Sequence, residues 1–314
     1  MTDMQTQAVN RDKWIRKFKR AIFILSFILI PTIYFLVFYV YVNGNSFVMA
    51  FQLTKQGKTY WTLDNFTRFF SDITTNGSEM GIAFKNTFIT FIVNMFTFLV
   101  GFFVSFFLYK KVFMYRVFKI CFFLPSLIAG TIVNSVFMRI IGVNGPIASI
   151  IKALYNLDYM PDLLDETRFA NKVVLGQLIW LNFPANMVLL SGSFGRIPES
   201  VIESAKLDGV NWVQEAFKIV IPMVWPTVGL LLMMNIAGIF GASGNVFLLT
   251  KGKAGTQTLS NWMYMQLYNV QGDPSESNAF NYMSAVGLLL TVVSVTIALS
   301  VRKISDKSFG EVQY

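Results

Sequence analysis

Six long apolar runs recur along the chain, at 21–42, 86–108, 117–140, 172–194, 219–242 and 281–301, separated by segments rich in polar residues, Gly and Pro. Each run is close to the ~20 residues an α-helix needs to cross the hydrocarbon layer of a bilayer. The pattern predicts an all-α, polytopic membrane protein with about six transmembrane helices. Composition agrees: 54% of the 314 residues are hydrophobic, 32 are Phe, and the mean hydropathy is +0.53, far from a water-soluble domain of this length.

Charge sets the expected orientation, because cytoplasmic loops collect Lys and Arg near span ends. One side would hold Arg11, Lys13, Arg16, Lys17, Lys19 and Arg20, then Lys110, Lys111, Arg116 and Lys119, then Arg196, Lys206 and Lys218, then Arg302, Lys303 and Lys307. The opposite loops, near 43–85, 141–171 and 243–280, mix fewer cations with Asp64, Asp72, Glu79, Asp158, Asp162, Asp165, Glu166, Asp273 and Glu276. Both termini are therefore expected in the cytoplasm. The net charge of +9 is accounted for by cations facing anionic lipid headgroups, so membrane lipid rather than nucleic acid is the partner it implies. The first run exceeds a typical signal-peptide core, and Asn43-Gly44-Asn45-Ser46 offers no small-residue cleavage site, so the run is expected to stay as an anchor.

The runs contain no Asp or Glu, and the chain contains no His. Proton- and ion-coupled carriers usually place such groups at mid-membrane, so energy is expected from another subunit. The same absences leave no general base and no metal-ligand cluster, and no catalytic residue or metal site is expected. Cys121 is the single cysteine, which excludes an intrachain disulfide. Gly57-Lys58-Thr59 ends like a phosphate loop, but its first glycine would have to be at position 52, which is Gln52; Gly252-Lys253 is followed by Ala254, without the hydroxyl that would hold magnesium.

The polar segment between the fourth and fifth runs is the most structured. Ser200-Val201-Ile202-Glu203, after Pro198, has the spacing of a capping box at a helix start, and Gly209 can take the left-handed conformation that ends it. Asn211-Trp212-Val213-Gln214 suggests a second box, with Val210, Val213 and Phe217 forming an apolar stripe. Pro222 and Pro226 would then interrupt the approach to the fifth run. Two short helices forming an elbow are expected, the first about nine residues or roughly 13 Å long. Geometry alone fits equally a helix that fills a groove on a partner protein and an amphipathic elbow resting on lipid headgroups.

Glu203-Ser204-Ala205, three residues, Gly209, nine residues, then Ile219-Val220-Ile221-Pro222 closely resembles the Glu-Ala-Ala loop of permease subunits of binding-protein-dependent ABC importers. Ser204 replaces Ala and Ile221 replaces Leu of the family pattern, while the spacing is kept. Thr62-Leu63-Asp64-Asn65-Phe66, Ala83-Phe84-Lys85-Asn86-Thr87, Phe122-Phe123-Leu124-Pro125, Leu207-Asp208-Gly209-Val210-Asn211-Trp212 and Val246-Phe247-Leu248-Leu249-Thr250 are similar to the carbohydrate branch, specifically the larger permease of maltose-type importers. The family's Gly-Gly-Pro turn is here Lys251-Gly252-Lys253-Ala254-Gly255. The resemblance runs over about residues 15 to 305 and implies a compact type I importer permease. Its expected organisation is a basic N-terminus (1–20), a first helix and extracellular loop (21–85), a permease core (86–301) with a coupling loop at 195–218, and a cytoplasmic C-terminus (302–314).

The resemblance further implies ATPase coupling through Glu203, Ser204, Ala205, Asp208, Gly209, Ile219, Ile221 and Pro222. The implied partners are a second related permease in a heterodimer, two copies of a cytoplasmic ATPase that bind the ATP and Mg, and an extracellular or periplasmic solute-binding protein. A bacterial cytoplasmic (inner) membrane location follows. A carbohydrate cargo needs uncharged donors, acceptors and aromatic faces. Candidates for its path are Asn94, Asn134, Trp180, Asn182, Phe183, Asn186 and Asn235 in the runs and Asn245 at the outer end of the fifth, although such amides also join neighbouring helices. Gly229, Gly238, Gly241 and Gly287 would permit close contact with the second permease. Competing readings are an amino-acid or peptide permease of the same class and an ion-gradient carrier.

Overall fold

The computed structural model describes residues 2–55, 57–75, 77–156, 158–241, 244–269 and 277–309. Asn76, Asp273 and Glu276 lie outside the described residues, as do the side chains of Arg11, Lys13 and Lys307. Among the described residues, six helical segments are long and apolar enough to cross a membrane: Trp14–Ala50, Glu79–Tyr109, Gly130–Tyr155, Thr167–Phe194, Trp212–Ala237 and Asn278–Lys303. The chain divides into two compact units, residues 1–67 with 273–288, and residues 68–272 with 289–314.

In the first unit, α1 (Thr2–Phe35), a π-helical stretch (Leu36–Tyr41) and α2 (Val42–Ala50) run on without a break, since every junction residue keeps right-handed helical angles. An antiparallel hairpin follows, β1 (Gln52–Lys55) paired with β2 (Lys58–Trp61), Gln52 opposite Trp61 and Lys55 opposite Lys58. Its turn contains Gly57 at φ +75°, a conformation that favours glycine, so Gly57-Lys58-Thr59 is hairpin rather than phosphate loop. Asn65 donates its amide to the carbonyls of Ala50 and Gln52, at 3.1 and 2.9 Å. Asn278 backs the other side of β1, accepting from the Thr54 N–H at 2.7 Å and donating to the Thr54 carbonyl at 2.8 Å. One amide side chain thus satisfies an edge residue that would otherwise lack partners.

After α3 (Asp64–Thr74), the second unit is built around α4 (Glu79–Tyr109) and α8 (Thr167–Phe194). Ser78 caps α4, its hydroxyl accepting from the Gly81 N–H at 3.0 Å, as a serine at a helix start commonly does. The third apolar run is not one helix. It is broken into α5 (Tyr115–Leu127) and α6 (Gly130–Ile141) by extended backbone at Ile128, φ −97° and ψ 140°, and α7 (Pro146–Tyr155) follows after a turn. Pro125 lies within α5, near its end. Hydropathy could not register this break, because the residues around it are apolar on both sides.

The fifth span also departs from expectation. α10 (Trp212–Gln214), a π-helical segment (Glu215–Val220) and α11 (Ile221–Ala237) form one continuous rod. Pro222 falls in the first turn of α11, where the missing amide hydrogen coincides with the change from π to α hydrogen bonding, so it does not interrupt the rod. The rod takes in Glu215, so the spans do contain a carboxylate, close to one end. Gly229 is buried inside the chain and so does not line a free helix face, whereas Gly238, which caps α11, is exposed.

Asn86 and Thr87, both buried, anchor the turn that precedes α13 (Leu259–Asn269). Asn86 donates to the carbonyls of Gly255 and Gln257 at 2.7 and 2.9 Å and accepts from the Asn171 amide at 3.1 Å. Thr87 accepts from the Leu259 N–H at 2.9 Å. The turn itself is tight, with positive φ at Lys251, Gly252, Ala254 and Gly255. Asn245 belongs to the separate short helix α12 (Gly244–Thr250), not to the end of the fifth span.

Candidate functional site

α9 (Glu199–Leu207) is the nine-residue helix between α8 and α10. It starts after Pro198, whose own side chain offers no cap, and no capping box forms between Ser200 and Glu203: Pro198 holds the cap position, so Ser200 sits inside the first turn, two residues past it. The C-terminal end follows the sequence closely. Gly209 has φ +73°. Its N–H donates to the Lys206 carbonyl and that of Val210 to the Ala205 carbonyl, at 3.1 and 3.2 Å. These two bonds are the paired closure of a helix by a left-handed glycine. Asn211 and Gln214 form the expected reciprocal capping box, the Gln214 N–H reaching Asn211 Oδ1 at 2.9 Å and the Asn211 N–H reaching Gln214 Oε1 at 3.2 Å.

α9 presents two faces. Ile202 and Ala205 are buried, and Ile202 joins a core that includes Phe98, Phe102 and Phe106 of α4, Leu190 and Phe194 of α8, and Val220, Val224, Val228 and Leu231 of the fifth span. Glu203, Ser204, Asp208 and Gly209 face outward, and Leu207 is 89% exposed. Beside them lies a cavity of about 360 Å³ lined by Ser200, Val201, Ser204, Ala205, Asp208, Val210 and Ile219. The structure therefore brings Ser204, Ala205, Asp208 and Ile219 together at one surface. Ile221 and Pro222 lie farther along the rod, half-buried, with Ile221 against the core.

The apolar stripe expected at Val210, Val213 and Phe217 is not the buried face. Val213 and Phe217 are 41% and 54% exposed, whereas Glu215 is 2% exposed and Ala216 fully buried. The π turn starting at Glu215 holds more residues per turn than 3.6, so a helical period drawn through it points the wrong side chains inward. Glu215 Oε2 meets Lys110 Nζ at 2.6 Å. That partner lies 105 residues away in sequence. Trp212 and Phe217 meet Phe107 and Phe103 of α4, with ring centroids 5.6 and 6.1 Å apart.

The membrane-span amides sort into different environments. Asn182 of α8 donates to Asn94 Oδ1 of α4 at 2.8 Å, both half-buried. Phe183 packs edge-on against Phe122 at 5.2 Å, and Asn186 lies on the same helix, half-buried. Asn134 is buried and accepts from Gln177 of α8. Gln177 was not singled out in the sequence, yet it is fully buried, and its Oε1 has no hydrogen-bond partner among the described residues. Counting every amide residue in the fourth run, instead of Asn alone, would have found it. Trp180 is half-exposed and stacks on Phe137 at 6.0 Å. Asn235 donates to the Leu231 carbonyl of its own helix at 2.9 Å, and Asn245 is half-buried on α12.

Residues 86–311 match the model of the family described as the binding-protein-dependent transport system inner membrane component. The alpha-glucoside transport system permease protein AglF of Rhizobium meliloti is 29% identical over 42% of this chain and 38% of its own length. The arabinooligosaccharides transport system permease protein AraP of Bacillus subtilis is 26% identical over 88% of this chain and 86% of its own length. The chain spans 38% to 63% of the length of several of its curated relatives. A chain in the crystal structure of a bacterial alginate ABC transporter, in complex with an alginate pentasaccharide-bound periplasmic protein, superposes with a TM-score of 0.74. It covers 94% of this chain and 97% of that one at 20% identity, a likeness of fold.

Proposed function

We propose that this chain, which belongs to the family of binding-protein-dependent transport system inner membrane components, forms half of the translocation pathway of an ATP-driven importer for a sugar or oligosaccharide. In this reading an extracellular binding protein delivers the cargo, a second related permease completes the pathway, and two copies of a cytoplasmic ATPase bind ATP and Mg. The chain carries no catalytic site of its own. Both termini and α9 face the cytoplasm.

The observation that carries the coupling role is the two-sided character of α9. A nine-residue helix is too short to be stable alone. Here one face, Ile202 and Ala205, is held in the core of the membrane helices, while Glu203, Ser204, Leu207 and Asp208 project beside a cavity. A nearly fully exposed Leu flanked by polar groups suits a groove on a partner protein. Displacing α9 would displace Ile202, and with it the packing of α4, α8 and the fifth span. For the cargo, the half-buried Asn94 and Asn182 with Phe183 offer donors, acceptors and a ring face. The relatives named for alpha-glucoside and arabinooligosaccharide transport support a carbohydrate.

Copurification from host membranes, with retained proteins identified by mass spectrometry, tests this. The native chain is expected to bring an ATPase and a second six-span protein; the double variant Glu203→Ala with Gly209→Pro is expected to keep the membrane partner and lose the ATPase. If neither form retains an ATPase under conditions that keep the membrane partner, the coupling role falls and an ion-gradient carrier takes its place.

A further inference from the structure

The ion pair between Lys110 and Glu215 is a long-range charged contact within the second unit that the transport reading leaves unused. Lys110 is the residue that ends α4, and Glu215 is the first residue of the π-helical segment that joins α10 to α11. The carboxylate is 2% exposed. One of its oxygens meets the ammonium at 2.6 Å, while the other has no hydrogen-bond partner among the described residues. The Lys110 ammonium lies 5.5 Å from the centroid of the buried Phe106 ring, which adds a cation–π attraction on the α4 side.

Such a pair is a poor device for stability alone. Burying the carboxylate and most of the lysine side chain, which is 26% exposed, offsets much of their attraction, and an apolar pair would often hold the same two segments as well. The ring contacts Phe107 to Trp212 and Phe103 to Phe217 already supply that apolar cohesion across the same boundary. Dispersion between rings tolerates sliding, whereas a charged hydrogen bond at 2.6 Å fixes one atom against another. Glu215 also marks the residue at which the helix changes from α to π hydrogen bonding, an irregularity frequent at functional sites.

We propose that Lys110 and Glu215 form a latch that ties the end of α4 to the segment following α9, so that movement of the docking loop is carried into α4 in register. Both are positioning residues for the coupling step. The inference rests on the transport reading above, since it requires a partner that moves α9.

The test uses the complex purified from its own host with its ATPase and reconstituted in lipid nanodiscs, with Mg·ATP plus vanadate as the probe and hydrogen exchange read by mass spectrometry. In the native complex, trapping is expected to change exchange both in 199–207 and in 103–110. In Lys110→Met and in Glu215→Gln the change should persist in 199–207 and be lost in 103–110. Exchanging the charges, Lys110→Glu with Glu215→Lys, should restore it. The latch is overturned if either single variant keeps the response in 103–110. It is equally overturned if exchange there rises to the same level with and without nucleotide in the singles and the charge exchange alike, which is the signature of packing support only. An ATPase missing from the native complex would instead sink the transport reading.

Discussion

Gln177 of α8 donates its side-chain amide to Oδ1 of Asn134 on α6, and both side chains are sealed from solvent. Removing either partner alone strands the other, at a cost of about 1–3 kcal/mol, while removing both leaves two apolar surfaces facing each other. Asn134→Leu and Gln177→Leu are each expected to lower the Tm of the purified protein in detergent, and the double variant to recover most of the loss. Thermal unfolding of the four forms measures this; additive losses would contradict it.

The Asn94 and Asn182 pair is only half-buried, so its amides can exchange one partner for another. Asn182→Ala is expected to raise the KM for uptake about fivefold, the equivalent of one hydrogen bond of ~1 kcal/mol, with the complex assembled at native yield. Radiolabelled uptake beside quantitative copurification separates the two effects. An unchanged KM would remove this pair from the cargo path.

Leu207 places an isobutyl group in water at 89% exposure. Burying such a side chain in a partner's groove contributes about 1.5–3 kcal/mol, so Leu207→Asp should weaken ATPase retention by about tenfold or more. Since so little of it is covered among the described residues, the Tm of the permease without ATPase should stay within a degree or so of native. A titration of ATPase against immobilised permease decides the first expectation and thermal unfolding the second.

At Gly209, φ +73° closes α9, and a Cβ there would meet nothing within 4 Å. Substitution therefore isolates backbone conformation from packing. Gly209→Ala is expected to weaken ATPase retention by about five- to thirtyfold, from the ~1–2 kcal/mol that the left-handed region costs a residue with a Cβ, with Gly209→Asn intermediate. Equal retention by all three would mean that closure of α9 does not matter to docking.

Local features were legible in the sequence and remote ones were not. The Asn211 and Gln214 box and the closure at Gly209 depend on residues within five positions of one another, and both are present as expected. The Ser200 box failed because Pro198 takes the cap position and starts α9 two residues earlier. The break at Ile128 escaped notice because hydropathy measures burial in lipid, not helix continuity. Glu215 was out of reach for a different reason: its burial is decided by Lys110, more than a hundred positions upstream, and by a π turn that shifts the helical period beneath it. Among the amides, type was visible but pairing was not, and pairing separates the sealed Asn134 from the accessible Asn182.

Ile202 has its place only among side chains drawn from α4, α8 and the fifth span. Nine residues cannot hold a helix in water by themselves, so during synthesis α9 has no lasting shape until those three elements have met in the bilayer. On the coupling role proposed for α9, a nascent or misassembled permease would thus offer a partner nothing firm to grip. An order of assembly is written into one buried isoleucine: membrane packing first, a firm α9 second.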